Sequence, residues 1–217
     1  YSHEELGALA KVIAKNPNLI VVADEIYEHI NFIGDHYSLA TFPEVTEQVV
    51  TVNGVSKGFA MTGWRLGYLA GPKELVQACE KLQGQFTSGT SSITQRAAIT
   101  ALLGDMQPTH DMTKAFKTRR DFLYNALKDI QGIEVNNPQG AFYLFPDVSA
   151  FFGKTDGETT ISNDEDMSMY LLHKANVSTV MGSAFGDKDC IRLSFATSMD
   201  KLEEAAKRIR TALEQLK

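Results

Sequence analysis

An α/β fold is predicted, in which part of a mainly parallel sheet is sandwiched by helices and a smaller α+β domain follows toward the C-terminus. Two short apolar runs, residues 19–22 and 49–52, lie among helical or polar segments, as strands of a helix-covered parallel sheet do. After residues 104–108 the pattern changes to one long amphipathic helix followed by short strands and helices. With 217 residues and 43% hydrophobic content, the chain can bury a core in two domains, expected at 1–105 and 106–217.

The elements follow in order. Ser2 and Glu5 form a capping box, and Leu6, Leu9, Val12 and Ile13 then recur on one helical face until Asn16 and Pro17 end the helix. The run 19–22 reads as a strand covered on both faces, with Asp24 just past its end. A second strand, 49–52, leads into Ser56 and Lys57, and a third, 67–70, stops at Gly71 and Pro72. Helical patterns cover 72–84 and 91–103, joined by a polar loop. In the second domain a helix is expected over 109–130, with Met112, Phe116, Leu123, Leu127 and Ile130 on its apolar face. Strands follow at 140–145, 177–181 and 190–196, and helices at 163–175 and 198–216. The Gly-, Thr- and Asp-rich stretch 152–162 reads as a mobile loop.

Composition narrows the function classes. A net charge of −6 and a pI near 5.4 provide no basic field for a nucleic-acid backbone, so no nucleic-acid partner is expected. No apolar run approaches the ~20 residues that span a bilayer, and no export signal is visible, which makes a cytoplasmic protein without a membrane partner the expectation. Cys79 and Cys190 read as buried thiols in a reducing compartment, and the histidines and cysteines show no metal-ligand spacing.

The candidate chemistry lies beyond the strand ends, where open α/β sheets bind ligands. Lys57 sits where a buried cleft could keep an amine deprotonated for imine formation, although a lysine after a strand is by itself an ordinary loop residue. Its neighbours change that reading. Ser56 offers a hydroxyl and Arg65 a planar fork to phosphate oxygens, while Gly58 and Gly63 permit close backbone approach. Asp24 could set a carboxylate against a pyridine nitrogen, or simply form a turn, and Tyr27 could donate to a ring hydroxyl, or be a core aromatic. Arg192 alternates with Ile191, Leu193 and Phe195 on a strand; it is either a surface arginine or a bidentate carboxylate anchor.

Asp24-Glu25-Ile26-Tyr27 and the stretch from Ser56 through Lys57, Gly63, Trp64 and Arg65 to Tyr68 resemble the cofactor-ring motif and lysine signature of fold-type I aminotransferases. These pyridoxal 5'-phosphate enzymes form the class I and II group that includes aspartate aminotransferases. The resemblance is strongest over residues 19–71 and looser beyond. It implies that residues 1–105 are the C-terminal part of the large cofactor-binding domain and 106–217 the small domain. It also implies that Lys57 bonds to the cofactor and shuttles a proton, with Asp24 at the pyridine nitrogen, Tyr27 at the ring hydroxyl, and Ser56 and Arg65 at the phosphate. Arg192 would take the substrate α-carboxylate, the substrates would be an amino acid, aspartate being one candidate, and a 2-oxo acid, and the full-length form would be a homodimer, with residues 85–92 a candidate contact. Met181 stands where that family has proline. The family's amino-terminal half is not matched in this chain, so the chain alone is expected to bind cofactor weakly and turn over little. A lyase or synthase of the same fold, and an effector-sensing domain of a transcription regulator, are the alternative readings.

Overall fold

The computed structural model describes residues 1–217 and divides into two compact units, Tyr1–Asp111 and Met112–Lys217. In the first unit, α1 (His3–Ala14) opens with the expected capping box: Glu5 N–H donates to Ser2 Oγ at 3.2 Å and Ser2 N–H to the Glu5 carboxylate at 2.7 Å. Its inner face is Leu6, Ala10 and Ile13, packed with Leu39, Val45 and Val49. Leu9 and Val12, expected on that face, are exposed, because the shorter Ala10 side chain is the one that meets the cluster.

The first sheet has the order β1 (Val21–Asp24), β2 (Val49–Gly54), β3 (Gly67–Ala70). β1 and β2 are parallel, with Val21 opposite Val49 and Asp24 opposite Val52, whereas β3 runs antiparallel to β2. The first strand starts later than the apolar run suggests, and its coverage is one-sided. Val21 and Ala23 pack on the α1 cluster while Val22 is 66% exposed. No residue of α2 (Lys73–Phe86) is buried, and α3 (Ser92–Leu103) buries Thr94 and Ala98 alone. Cys79 of α2 is therefore exposed, against the expectation of a buried thiol, while Cys190 is buried; neither is in a disulfide. Burial holds the Cys190 thiol up at about 12, with Asp187 adding to the effect, so it is an inert core thiol.

The division between the units falls within α4 (Gln107–Lys128), beyond the 104–108 boundary read from the sequence. In the second unit Phe116, Leu123 and Leu127 of α4 are buried as expected, and Phe116 contacts the rings of Phe142 and Phe195. A second, antiparallel sheet has the order β4 (Tyr143–Leu144), β6 (Ile191–Ser194), β5 (Val180–Met181), with α5 (Asp164–Ala175) and α6 (Met199–Leu213) completing the unit. β4 is shorter than its apolar run because Ala141 takes a left-handed conformation, φ 58°, that breaks the extended chain. Tyr170 of α5 donates its hydroxyl to the Ala212 carbonyl of α6 at 3.0 Å, joining the two helices through their buried faces.

The stretch 152–162 is tied down rather than loose. Thr155 and Thr160 form a β-bridge, Thr155 exchanges two backbone hydrogen bonds with Lys217, and Lys174 reaches Asp156 at 3.1 Å and Glu158 at 2.6 Å. The N–H groups of Thr159 and Glu158 at 2.7 and 2.9 Å, helped by Lys174, hold the Asp156 carboxyl down at about 2. A carboxyl held down on folding stabilises above its unfolded value, near 3.8, and that contribution disappears as pH falls through about 2. In Asp156→Asn the fall in Tm between about pH 4 and pH 2 should therefore be shallower than in the parent, measured by circular dichroism melts.

Candidate functional site

Parallel pairing brings the carboxyl ends of β1 and β2 to one side of the first sheet, and Glu25 N–H extends the pairing to the Val52 carbonyl at 2.9 Å. Asp24 is the last residue of β1; its Oδ1 accepts from Ile26 N–H at 3.3 Å and turns the chain out of the sheet. Tyr27 follows in that turn. Beyond β2, Val55 is wholly buried and Ser56 and Lys57 are partly buried. Lys57 Nζ lies 5.9 Å from the centroid of the Tyr27 ring, so the two turns meet. β3 begins where β2 ends, with Gly67 opposite Gly54, which puts Arg65 at the same end of the sheet. Asp24, Tyr27, Ser56, Lys57 and Arg65 thus share one end of one sheet. Asp24 also borders an open pocket along β1 that Leu6, Val22, Glu25 and His36 help to line.

Backbone geometry holds these groups in place. Ala60, at φ 53°, closes the lysine turn, in which Ala60 N–H donates to the Lys57 carbonyl at 3.2 Å and Met61 N–H to the Val55 carbonyl at 3.3 Å. A Cβ on Gly58 would come within 2.7 Å of the His29 ring, so only glycine lets this turn close against the Tyr27 turn. The buried Thr109 hydroxyl donates to the Gly58 carbonyl at 3.0 Å. Arg65 has a left-handed backbone, φ 55°, after the 3₁₀ turn Thr62–Trp64, and its Nη1 donates to the Thr62 carbonyl at 2.9 Å.

Arg192 belongs to the second unit. Ile191 and Leu193 are buried on one face of β6, and Arg192 is partly exposed on the other, as the alternation implies. Its Cζ lies 4.4 Å from the ring centroid of Tyr143 and 4.1 Å from that of Phe185. Two aromatic contacts orient a guanidinium while leaving its in-plane N–H fork for a carboxylate.

Sequence reasoning did not find His29, Thr109, Tyr143 or Phe185, whose contacts arise across the fold and have no spacing signature. It also missed a cluster of Glu25, Glu28 and His36, whose ligand-type atoms lie within 4.8 Å of one another. His36 Nε2 meets Glu25 at 3.1 Å, and the Ser38 hydroxyl donates to Glu25 at 2.7 Å, so protein hydrogen bonds account for that carboxylate. Burial, with the Glu28 charge second, raises the pKa of the nearby Tyr68 phenol.

Comparison with known proteins identifies the family. Residues 1–209 match the family described as aminotransferase class I and II. A bifunctional aspartate aminotransferase and glutamate/aspartate-prephenate aminotransferase of Petunia hybrida is 47% identical over all of this chain and 46% of its own length. An aspartate aminotransferase of Pinus pinaster is 48% identical over 98% of this chain and 44% of its own. The crystal structure of an aspartate aminotransferase from Rhizobium meliloti superposes with a TM-score of 0.95 at 40% identity, covering 100% of this chain and 55% of that one. The chain thus spans about half the length of the curated relatives it matches. Its α/β fold is that of the pyridoxal-phosphate transferases. The family match over residues 1–209 leads to one assignment: the chain belongs to the aminotransferase class I and II family, whose members depend on pyridoxal 5'-phosphate.

Proposed function

We propose that this chain forms part of a pyridoxal-phosphate-dependent aminotransferase that moves an amino group between an amino acid and a 2-oxo acid. The observation that carries this reading is the meeting of the Lys57 and Tyr27 turns, with Nζ 5.9 Å from the ring centroid, at the sheet end that also holds Asp24 and Arg65. The residues fit the cofactor on chemical grounds. The site offers one amine for a covalent bond, one carboxylate for a pyridine nitrogen, one phenol for a ring hydroxyl, and a hydroxyl and a guanidinium for phosphate. Gly58 lets the lysine turn close where a side chain would strike His29.

In this assignment Lys57 would hold the cofactor covalently, and its amine would be the base that takes the proton from the substrate α-carbon. Asp24 would set its carboxylate against the ring nitrogen, and Tyr27 would donate to the ring hydroxyl. Ser56 and Arg65 would bind the phosphate, and Arg192 would donate from its fork to the substrate α-carboxylate. When bound, pyridoxal phosphate supplies the electron sink for the pair left on the α-carbon.

The first unit is assigned to the large cofactor-binding domain and the second to the small domain, supported by the 0.95 superposition on an aspartate aminotransferase. Aspartate is the first donor to test, since the relatives from Petunia hybrida and Pinus pinaster are named for it. A homodimer and a cytoplasmic setting complete the proposal, the latter supported by two cysteines that form no disulfide. No helix is long and apolar enough to cross a membrane.

The test supplies the protein with pyridoxal phosphate, 15N-labelled L-aspartate and 2-oxoglutarate, and follows the label by mass spectrometry. Transfer predicts labelled glutamate. Release of labelled ammonia without labelled glutamate would instead favour a lyase of the same fold.

A further inference from the structure

Asp164 is a buried carboxylate with no part in the chemistry assigned above. It is 4% exposed, begins α5, and its Oδ2 accepts the backbone N–H of Ser183 at 2.7 Å. Burial pushes its pKa upward, but hydrogen bonds from Ser183 and from the first amides of α5 outweigh that and hold the group ionised.

Ser183 lies in the 3₁₀ turn Gly182–Phe185, which Gly186 closes at φ 90°. The turn ends in Phe185, whose ring is 49% exposed and covers the Arg192 guanidinium at 4.1 Å. The ring also stands edge-on to that of Phe145 at 6.2 Å, so the turn and this one contact, rather than burial in the core, place it. Met181, entering the turn at φ −56°, has no ring to lock that angle, so the turn depends on noncovalent anchors. Asp164 is the charged one, and it reaches across from another element.

We propose that Asp164 is a positioning residue for binding of the substrate carboxylate: through Ser183 it fixes the turn that holds Phe185 against Arg192, and so aims the guanidinium fork. This inference rests on the reading of Arg192 as the carboxylate anchor.

The experiment follows the Arg192 Nε–H resonance by 15N NMR, assigned with Arg192→Ala, and titrates the protein with succinate as the carboxylate probe. In Asp164→Ala that resonance should lose the part of its ring-induced shift that Phe185 supplies, the Tyr143 part remaining, and succinate affinity should fall about tenfold. Asp164→Asn, whose amide oxygen can still accept from Ser183, should recover most of both. Phe185→Leu should reproduce the Asp164→Ala loss, and the double variant should be little worse than either, because the two act in series. An unmoved Arg192 resonance in Asp164→Ala, or additive losses in the double variant, would overturn the proposal while leaving the anchor reading intact. Unchanged succinate affinity in Arg192→Ala would overturn the anchor reading, and the proposal with it. Should Asp164→Ala fail to fold, Asp164→Glu serves instead. Its longer carboxylate displaces the turn, so the resonance must move and affinity must fall; no change in either overturns the proposal.

Discussion

Replacing Lys57 with alanine should abolish covalent capture of pyridoxal phosphate and reduce labelled glutamate formation from aspartate by about 10³-fold or more. The size of the effect follows from two roles falling on one amine, attachment of the cofactor and movement of the α-proton. Lys57→Arg should be nearly as damaging, because a guanidinium keeps the positive charge yet forms no such bond and does not give up its proton near neutrality. A merely structural lysine would behave differently: arginine would rescue it. Thermal melts should show little change in either variant, since Nζ sits in a partly exposed turn rather than in the core.

Gly182→Ala should be among the most destabilising single-methyl changes in the second unit, by about 3 kcal/mol, lowering Tm by roughly 10 °C. A Cβ there would overlap the carbonyl oxygens of Cys190 and Asp187. Both are backbone atoms that cannot swing aside, and the Gly182 N–H is bonded to the Cys190 carbonyl at 2.9 Å. Relief would require β5 and β6 to part beside Arg192, so carboxylate binding should weaken along with stability. Gly84→Ala provides the control. That glycine is inside α2 with nothing within 4 Å of the added carbon, and alanine there should be neutral or stabilising by up to ~1 kcal/mol.

The lysine turn was legible in the sequence because its parts are contiguous. Ser56, Lys57 and Arg65 lie in one stretch, and the apolar run before them becomes β2, which delivers them to a strand end. Asp24 and Tyr27 could be read for the same reason, being local to the exit from β1. The one-sided burial of β1 was not legible, since Val21 and Val22 are chemically alike and only the packing of α1 distinguishes the face that Val21 takes. The exposure of Cys79 escaped in the same way: an amphipathic period identifies α2 but does not say whether its apolar side is covered. His29, Thr109 and Asp164 were invisible for a different reason. Each acts through a contact distant in sequence, with Gly58 or with Ser183, that no local spacing encodes.

The central claim is that Lys57 is the residue to which the cofactor bonds. Incubation of the protein with excess pyridoxal phosphate, reduction with borohydride, proteolysis and mass spectrometry should find the phosphopyridoxyl mass on the peptide containing Lys57, at an occupancy well above that of any other lysine. Scattered labelling of surface lysines such as Lys11, Lys81 and Lys201, with Lys57 no more modified than they are, would contradict it.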